Sequence, residues 1–201
     1  MKVHRILQGS PSWLHLRKNY YTASAAAEIM GCGYSSRSQA ISIALGLKEK
    51  KPISSGLQLL FDQGHLMERG ARTQYNANQQ NPKNHVHPLV GSTVVNDLNL
   101  LASFDGITAS HDLVWEHKFS YKVFDEIPAI YYYQLEHQLL VADCTAAILT
   151  VTSRENGEMI DYHYESIPER RAELIAGWQT WKIDVNFQKY IEEKKTVKKT
   201  I

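Results

Sequence analysis

The sequence predicts an α/β (α+β) fold built on one central mixed β-sheet with flanking helices. Three observations predict it. Periodicities run in the order helices, a set of strands, a crossover helix, more strands and a closing helix, which suits a sheet covered by helices. The chain has 201 residues, 43% of them hydrophobic, enough for one core in a single domain spanning 1–201. No internal repeat interrupts this order.

The first helix signal is "TASAAAEIMG", with Thr22 or Ser24 as N-cap and Gly31 as the stop. A glycine-containing loop follows. From Gly56 to Tyr75 the helical period places Leu57, Phe61, Gly64, Glu68, Ala71 and Tyr75 on one stripe. Strands are expected at Val86–Val95, Leu101–Thr108, Leu113–Phe119, Ala146–Thr152 and Met159–Ile167. Between the third and fourth, a helix begins near Pro128 and runs through "AIYYYQLEHQLLVAD". The last helix opens with "SIPE": Ser166 and Glu169 have capping-box spacing, Pro168 fits the first turn, and Leu174, Ile175, Trp178 and Trp181 form a packing face. The lysine-rich end from 192 to 201 fits a flexible, solvated terminus, or a contact with DNA.

Composition bounds the chemistry. The formal net charge is +1, so an anionic partner has to be held by a local patch rather than a globally basic surface. Two cysteines, Cys32 and Cys144, cannot build a disulfide framework or a four-thiolate cluster and read as core thiols in a reducing cytoplasm. The N-terminus has no long apolar run, and no stretch reaches the roughly 18 apolar residues of a membrane span. A soluble, cytoplasmic protein without membrane contact is expected.

The stretch "LLASFDGITASHDLVWEHKFS" carries two acids and a lysine on strand-like sequence. With Ala109 to Asp112 as a hairpin turn, Thr108 pairs with Leu113, Asp105 falls opposite Glu116 and Ser103 opposite Lys118. Period-two alternation then puts all four on one face, with the acids' Cβ atoms about 5 Å apart. Opposed carboxylates repel unless a cation sits between them or one is protonated. A divalent metal meets that need; hard oxygen ligands suit magnesium or manganese better than zinc. His117 points to the opposite face and reads as a satisfied polar residue. Glu68 on the helix stripe needs a partner too, either Arg72 one turn on or the same metal cluster.

Five segments, "SPSWLHLRKNYYTASAAAEIMG", "GHLMERGARTQY", "ASFDGIT", "WEHKF" and "YYYQLEHQLLVAD", stand in an order and at separations that resemble the lambda-type phage recombination exonucleases, the viral recombinase nucleases of the restriction-endonuclease-like superfamily. The resemblance covers about 8–143. It implies a restriction-endonuclease-like core and an enzyme needing Mg2+, or Mn2+, with two ions per active site. Asp105, Glu116, Glu68 and the backbone carbonyl of His117 would hold metal. Lys118 would orient or deprotonate the attacking water, its pKa lowered by flanking metal and phosphate, and Gln134 would position the water or the lysine. Tyr131 and Gln138 share that helix face in packing or hydrogen-bonding roles. Arg17, Ser24 and Ser103 would bind the 5'-phosphate of double-stranded DNA ends, so that digestion runs 5' to 3' and leaves a 3' tail.

The resemblance also implies a ring-shaped homotrimer, a single-strand annealing protein as partner, and work in the bacterial host cytoplasm. Where the family often has proline after the serine of Ser-x-Asp-Gly, this chain has Phe104, a change in loop stiffness rather than ligand chemistry. Phe61 fits an apolar wedge between strands or, given its stripe, core packing. A structure- or sequence-specific endonuclease of the same superfamily and a non-catalytic DNA-end-binding module are the competing functions.

Overall fold

The structure is a computed structural model that describes residues 1–49, 52, 54–121 and 124–199, with backbone alone at 194–199. The elements, in chain order, are β1 (Lys2–His4), α1 (Pro11–Arg17), β2 (Tyr21–Thr22), a 3-10 turn (Ala23–Ala25), α2 (Ala26–Ile29), α3 (Arg37–Ala44) and α4 (Ser55–Asn78). Then come β3 (Val86–Val95), β4 (Leu98–Thr108), β5 (Leu113–Ser120), α5 (Ala129–Ala142), β6 (Ala146–Ser153), β7 (Met159–Glu165) and α6 (Pro168–Lys199). The strands form one sheet in the order β1-β3-β4-β5-β6-β7, with β2 beside β4. Neighbours are antiparallel except β5–β6 and β2–β4, so the sheet is mixed as expected.

Local chemistry explains the connections. β3 turns into β4 through Asn96 and Asp97, both at positive φ (48° and 61°), which matches the twist of a two-residue hairpin. β5 and β6 are parallel and need a crossover, which α5 supplies. That helix is buried almost all round. The main core lies between it, α2, α6 and the sheet, with Leu135, Leu139, Leu149, Leu174 and Trp178 almost wholly enclosed. Burial of each such side chain contributes roughly 1.5–3 kcal/mol. A smaller cluster of Ala71, Tyr75, Val86, Trp115 and Ile148 seats the C-terminal half of α4 on the other side of the sheet.

Four expectations change. The alanine-rich segment is a 3-10 turn and a four-residue helix; Thr22 caps its start without a side-chain bond, although Gly31 does end it at φ 76°. The stripe on α4 is buried only at its far end, at Ala71 and Tyr75, whereas Leu57 (42% exposed) and Phe61 (46%) face outward. Phe61 is therefore not a core residue: the core clusters take nothing from α4 before Ala71 among the described residues. Ser166 does not cap α6. Its hydroxyl donates to the buried Glu136, which also accepts from Tyr164 Oη, the Ile167 amide and Arg171. Finally, the backbone is helical to Lys199 where a flexible end was expected, and the side chains from 194 on lie outside the described residues.

Candidate active site

Between β4 and β5 the turn falls where expected, and Ile107 pairs with Val114 and Gly106 with Trp115. There the paired ladder stops. On the other side of β4, His87 pairs with Ile107 but Leu89 with Phe104, so three steps along β4 match two along β3. The extra residue lies at Asp105–Gly106, opposite Pro88, which has no amide to offer a ladder. Phe104 and Ile107 consequently enter the same core although strict alternation would separate them. Gly106 permits the close approach: a Cβ there would come within 2.7 Å of Val86 Cγ2.

The bulge aims Asp105 into the gap where β4 and β5 part, and its Oδ2 accepts the His117 amide at 3.0 Å. On β5, Glu116 (2% exposed) and Lys118 form an ion pair on the α5 side. Two glutamines one helical turn apart on α5 hold Glu116. Gln134 Nε2 donates to Oε1 at 2.6 Å and Gln138 Nε2 to Oε2 at 2.7 Å. Gln134 Oε1 in turn accepts from Lys118 Nζ at 3.2 Å. From α4, Glu68 pairs with Arg72 at 2.7 Å, and Arg72 also donates to the Asp105 carbonyl at 2.6 Å. Of the two partners open to Glu68 from sequence, Arg72 is the one engaged, and the pair still lies against Asp105.

Electrostatics follow from this crowding. Burial, then the carboxylates of Glu116 and Glu68, push the Asp105 carboxyl well above its ordinary range. Burial opposes the charge on Lys118, but Glu116 and Asp105 outweigh it, and its pKa is raised. The lowered value expected of Lys118 belongs to an ammonium flanked by metal and phosphate; the protein's own groups alone raise it, because two carboxylates face it. Burial lowers His117 to about 4; its Nε2 meets Thr152 Oγ1 at 2.8 Å on the opposite face, as alternation requires. The bond seen to Asp105 comes from the His117 amide.

No three histidine, cysteine or acidic side chains among the described residues converge into a ready-made cage. The donor set nonetheless fits a hard divalent cation. Three carboxylates, Glu68, Asp105 and Glu116, face two cations, Arg72 and Lys118, leaving one negative charge in excess when all are ionised. All three acids offer oxygen.

A second constellation adjoins the first. Arg17 Nη2 donates to Ser24 Oγ at 2.8 Å, while its guanidinium lies 4.4 Å from the Trp13 ring centroid. Burial lowers the Arg17 pKa. Trp13 Nε1 donates to Ser103 Oγ at 2.8 Å. Ser103 thus stands with Arg17 and Ser24 and is not paired with Lys118, a consequence of the bulge and the short ladder. Its carbonyl accepts from Gln138 at 3.4 Å, so one residue joins the two groups. Sequence reasoning missed Trp13, whose only signal is its place four residues before Arg17, one helical turn.

The profile of the YqaJ-like viral recombinase domain matches residues 12–145. Comparison with curated proteins finds no match. Among solved structures, the fold is similar to the alkaline exonuclease LHK-Exo from Laribacter hongkongensis, at TM-score 0.73 and 15% identity over 94% of this chain and 99% of that one. The same protein in complex with dAMP gives 0.71 and 16% over the same shares. A phage-related exonuclease from Haemophilus somnus 129PT gives 0.56 and 12% over 87% and 96%. At these identities the likeness is one of fold, and it agrees with a restriction-endonuclease-like mixed sheet flanked by helices. Among the described residues no helix is long and apolar enough to cross a membrane.

Proposed function

The chain belongs to the YqaJ-like viral recombinase domain family, and from that premise we propose that it is a metal-dependent DNA exonuclease acting as a single domain over 1–201. It digests one strand of linear duplex 5' to 3' and leaves a 3' tail for annealing. The observation that carries this is the junction at Ser103, where a carboxylate–lysine cluster and an arginine–serine pocket share one residue. Cutting chemistry and an anion grip stand side by side. Exonuclease structures of the same fold add support.

In this proposal Asp105, Glu116, Glu68 and the His117 carbonyl hold two Mg2+ or Mn2+ ions. When bound, such ions supply an activated water and neutralise charge in the in-line displacement. The chain's own residues do the rest. Gln134 and Gln138 fix the rotamer of Glu116 by donating to both of its carboxylate oxygens. Lys118, held by Glu116 and Gln134, orients or deprotonates the attacking water and offsets phosphate charge. Arg17 and Ser24 grip the terminal 5'-phosphate, with Ser103 as third contact and Trp13 fixing both Arg17 and Ser103. Phe61, exposed on α4, is free to act as a wedge. A homotrimeric ring, a single-strand annealing partner and a place in the bacterial cytoplasm complete the proposal.

The test is digestion of linear duplex bearing 5'-phosphate or 5'-hydroxyl ends, with and without magnesium, beside circular plasmid. Phosphorylated linear ends are degraded fastest, only with metal, and Asp105→Asn abolishes cleavage. Cutting of the circle, or loss of label from both strand ends at equal rates, overturns it.

A further inference from the structure

On the far side of β5 from Glu116 and Lys118 an open groove of about 440 Å³ runs between α4 and the end of the strand. That volume falls in the range of small-ligand clefts, about 300–1,000 Å³. Its lining is Gln63, Leu66 and Met67 from α4, Phe119 and Tyr121 from β5 and just beyond, and Arg154 from the turn after β6. Three features mark it out.

Two elements carry both the groove and the candidate active site, since Met67 precedes Glu68 on α4 and Phe119 follows Lys118 on β5. Among the described residues its one charge is positive: Arg154 lines it with no carboxylate partner, and no acid joins the lining. The guanidinium is held over two rings, 4.3 Å from the Tyr121 centroid and 5.2 Å from that of Phe119, while the Arg154 amide bonds the Ser120 carbonyl at 2.9 Å. Large apolar surface is left bare beside it, with Leu66 69% and Tyr121 68% exposed. A flat π-face, an apolar floor and one fixed cation are what a nucleotide needs: a surface for the base and a counter-charge for the phosphate. An acidic peptide would use the cation and leave the rings idle, and a purely apolar partner would bury an unpaired guanidinium.

We infer that this groove binds one unpaired nucleotide of single-stranded DNA next to the cutting site, its base on Tyr121 and Leu66 and its phosphate on Arg154. The inference rests on the nuclease proposal and adds a subsite outside the carboxylate cluster and the 5'-phosphate pocket. The two can fail separately.

The test is fluorescence anisotropy of the full chain in chelator, where the proposed reaction does not run, with a blunt duplex, the same duplex carrying a 3' single-stranded tail, and free dAMP as competitor. The tail strengthens binding. Tyr121→Ala and Arg154→Ala each weaken the tailed duplex by about tenfold, the scale of one lost base stack or phosphate contact, and the blunt duplex by much less. Arg154→Lys keeps most of the affinity for the tail. Equal weakening on both duplexes overturns the inference, as does none. Free dAMP in excess removes only the tail's contribution, as a site for one base and its phosphate requires; dAMP that displaces both duplexes alike overturns the inference. A change of oligomeric state in Tyr121→Ala, read by light scattering, overturns it in favour of contact between copies of the chain. Full nuclease activity in Lys118→Ala overturns the nuclease proposal while leaving the tail measurement, made without metal, to stand or fall alone.

Discussion

Gln138 shows how much one buried amide decides. It is wholly enclosed and gives its Nε2 protons to Glu116 and the Ser103 carbonyl, while its Oε1 meets no partner among the described residues. Turning the amide over would set oxygen against carboxylate, so the orientation is fixed. Gln138→Leu leaves Glu116 Oε2 buried without its donor. Activity on linear duplex should drop 10–100-fold in kcat, with KM for DNA nearly unchanged, because outer-shell partners tune a site rather than bind substrate. Steady-state kinetics on end-labelled duplex check this split. His137 beside it behaves differently. Burial holds its imidazole down to about 3 against an ordinary 6.5, the backbone of Leu101 and Tyr21 opposing in part, and its Nδ1 accepts from Trp178. Between those two values the unfolded chain binds a proton that the folded chain does not. Stability therefore holds above about 6.5 and falls as pH drops toward 3, by up to about 1.4 kcal/mol per unit. Urea melts at pH 7 and pH 4 should show a smaller loss for His137→Gln, which keeps an acceptor for the indole.

At the scale of elements, α4 separates what periodicity can tell from what it cannot. A 3.6-residue stripe states which side chains share a face, not how far the neighbouring sheet extends beneath them. Ala71 and Tyr75 meet Trp115 and Val86; Leu57 and Phe61, on the same stripe, meet solvent. Phe61→Ala should accordingly change unfolding free energy by less than about 0.5 kcal/mol, whereas Tyr75→Ala should cost about 3–5 kcal/mol through the cavity it opens. Chemical denaturation of the two variants checks both values. The β4–β5 hairpin gives the same lesson in strands. Its turn, and the sharing of one face by Glu116 and Lys118, were legible because both follow from local alternation. The bulge at Asp105 was not, since its cause, Pro88, sits on β3 and acts across the sheet. Likewise the sign of the Lys118 shift depends on Glu116 and Asp105 together, on two strands.

For the whole molecule, a formal charge of +1 leaves little long-range attraction for DNA. Affinity for an end must then come from a few placed cations, and each should be countable by its salt dependence. Arg17 is the clearest case. Its guanidinium is fixed by Ser24 and the Trp13 ring, and burial makes its charge costly to leave without an anion. Neutralising one phosphate releases counterions worth a slope of about 0.9 in log K against log salt. Arg17→Ala should therefore lower the slope by about that amount on 5'-phosphorylated blunt duplex and by much less on the 5'-hydroxyl duplex, which lacks the phosphate that Arg17 is proposed to grip. Titrations across a salt series, without divalent metal, read both slopes. A surface arginine that merely adds to the general field would lower the two slopes alike, so the difference between the ends separates a built phosphate pocket from background charge.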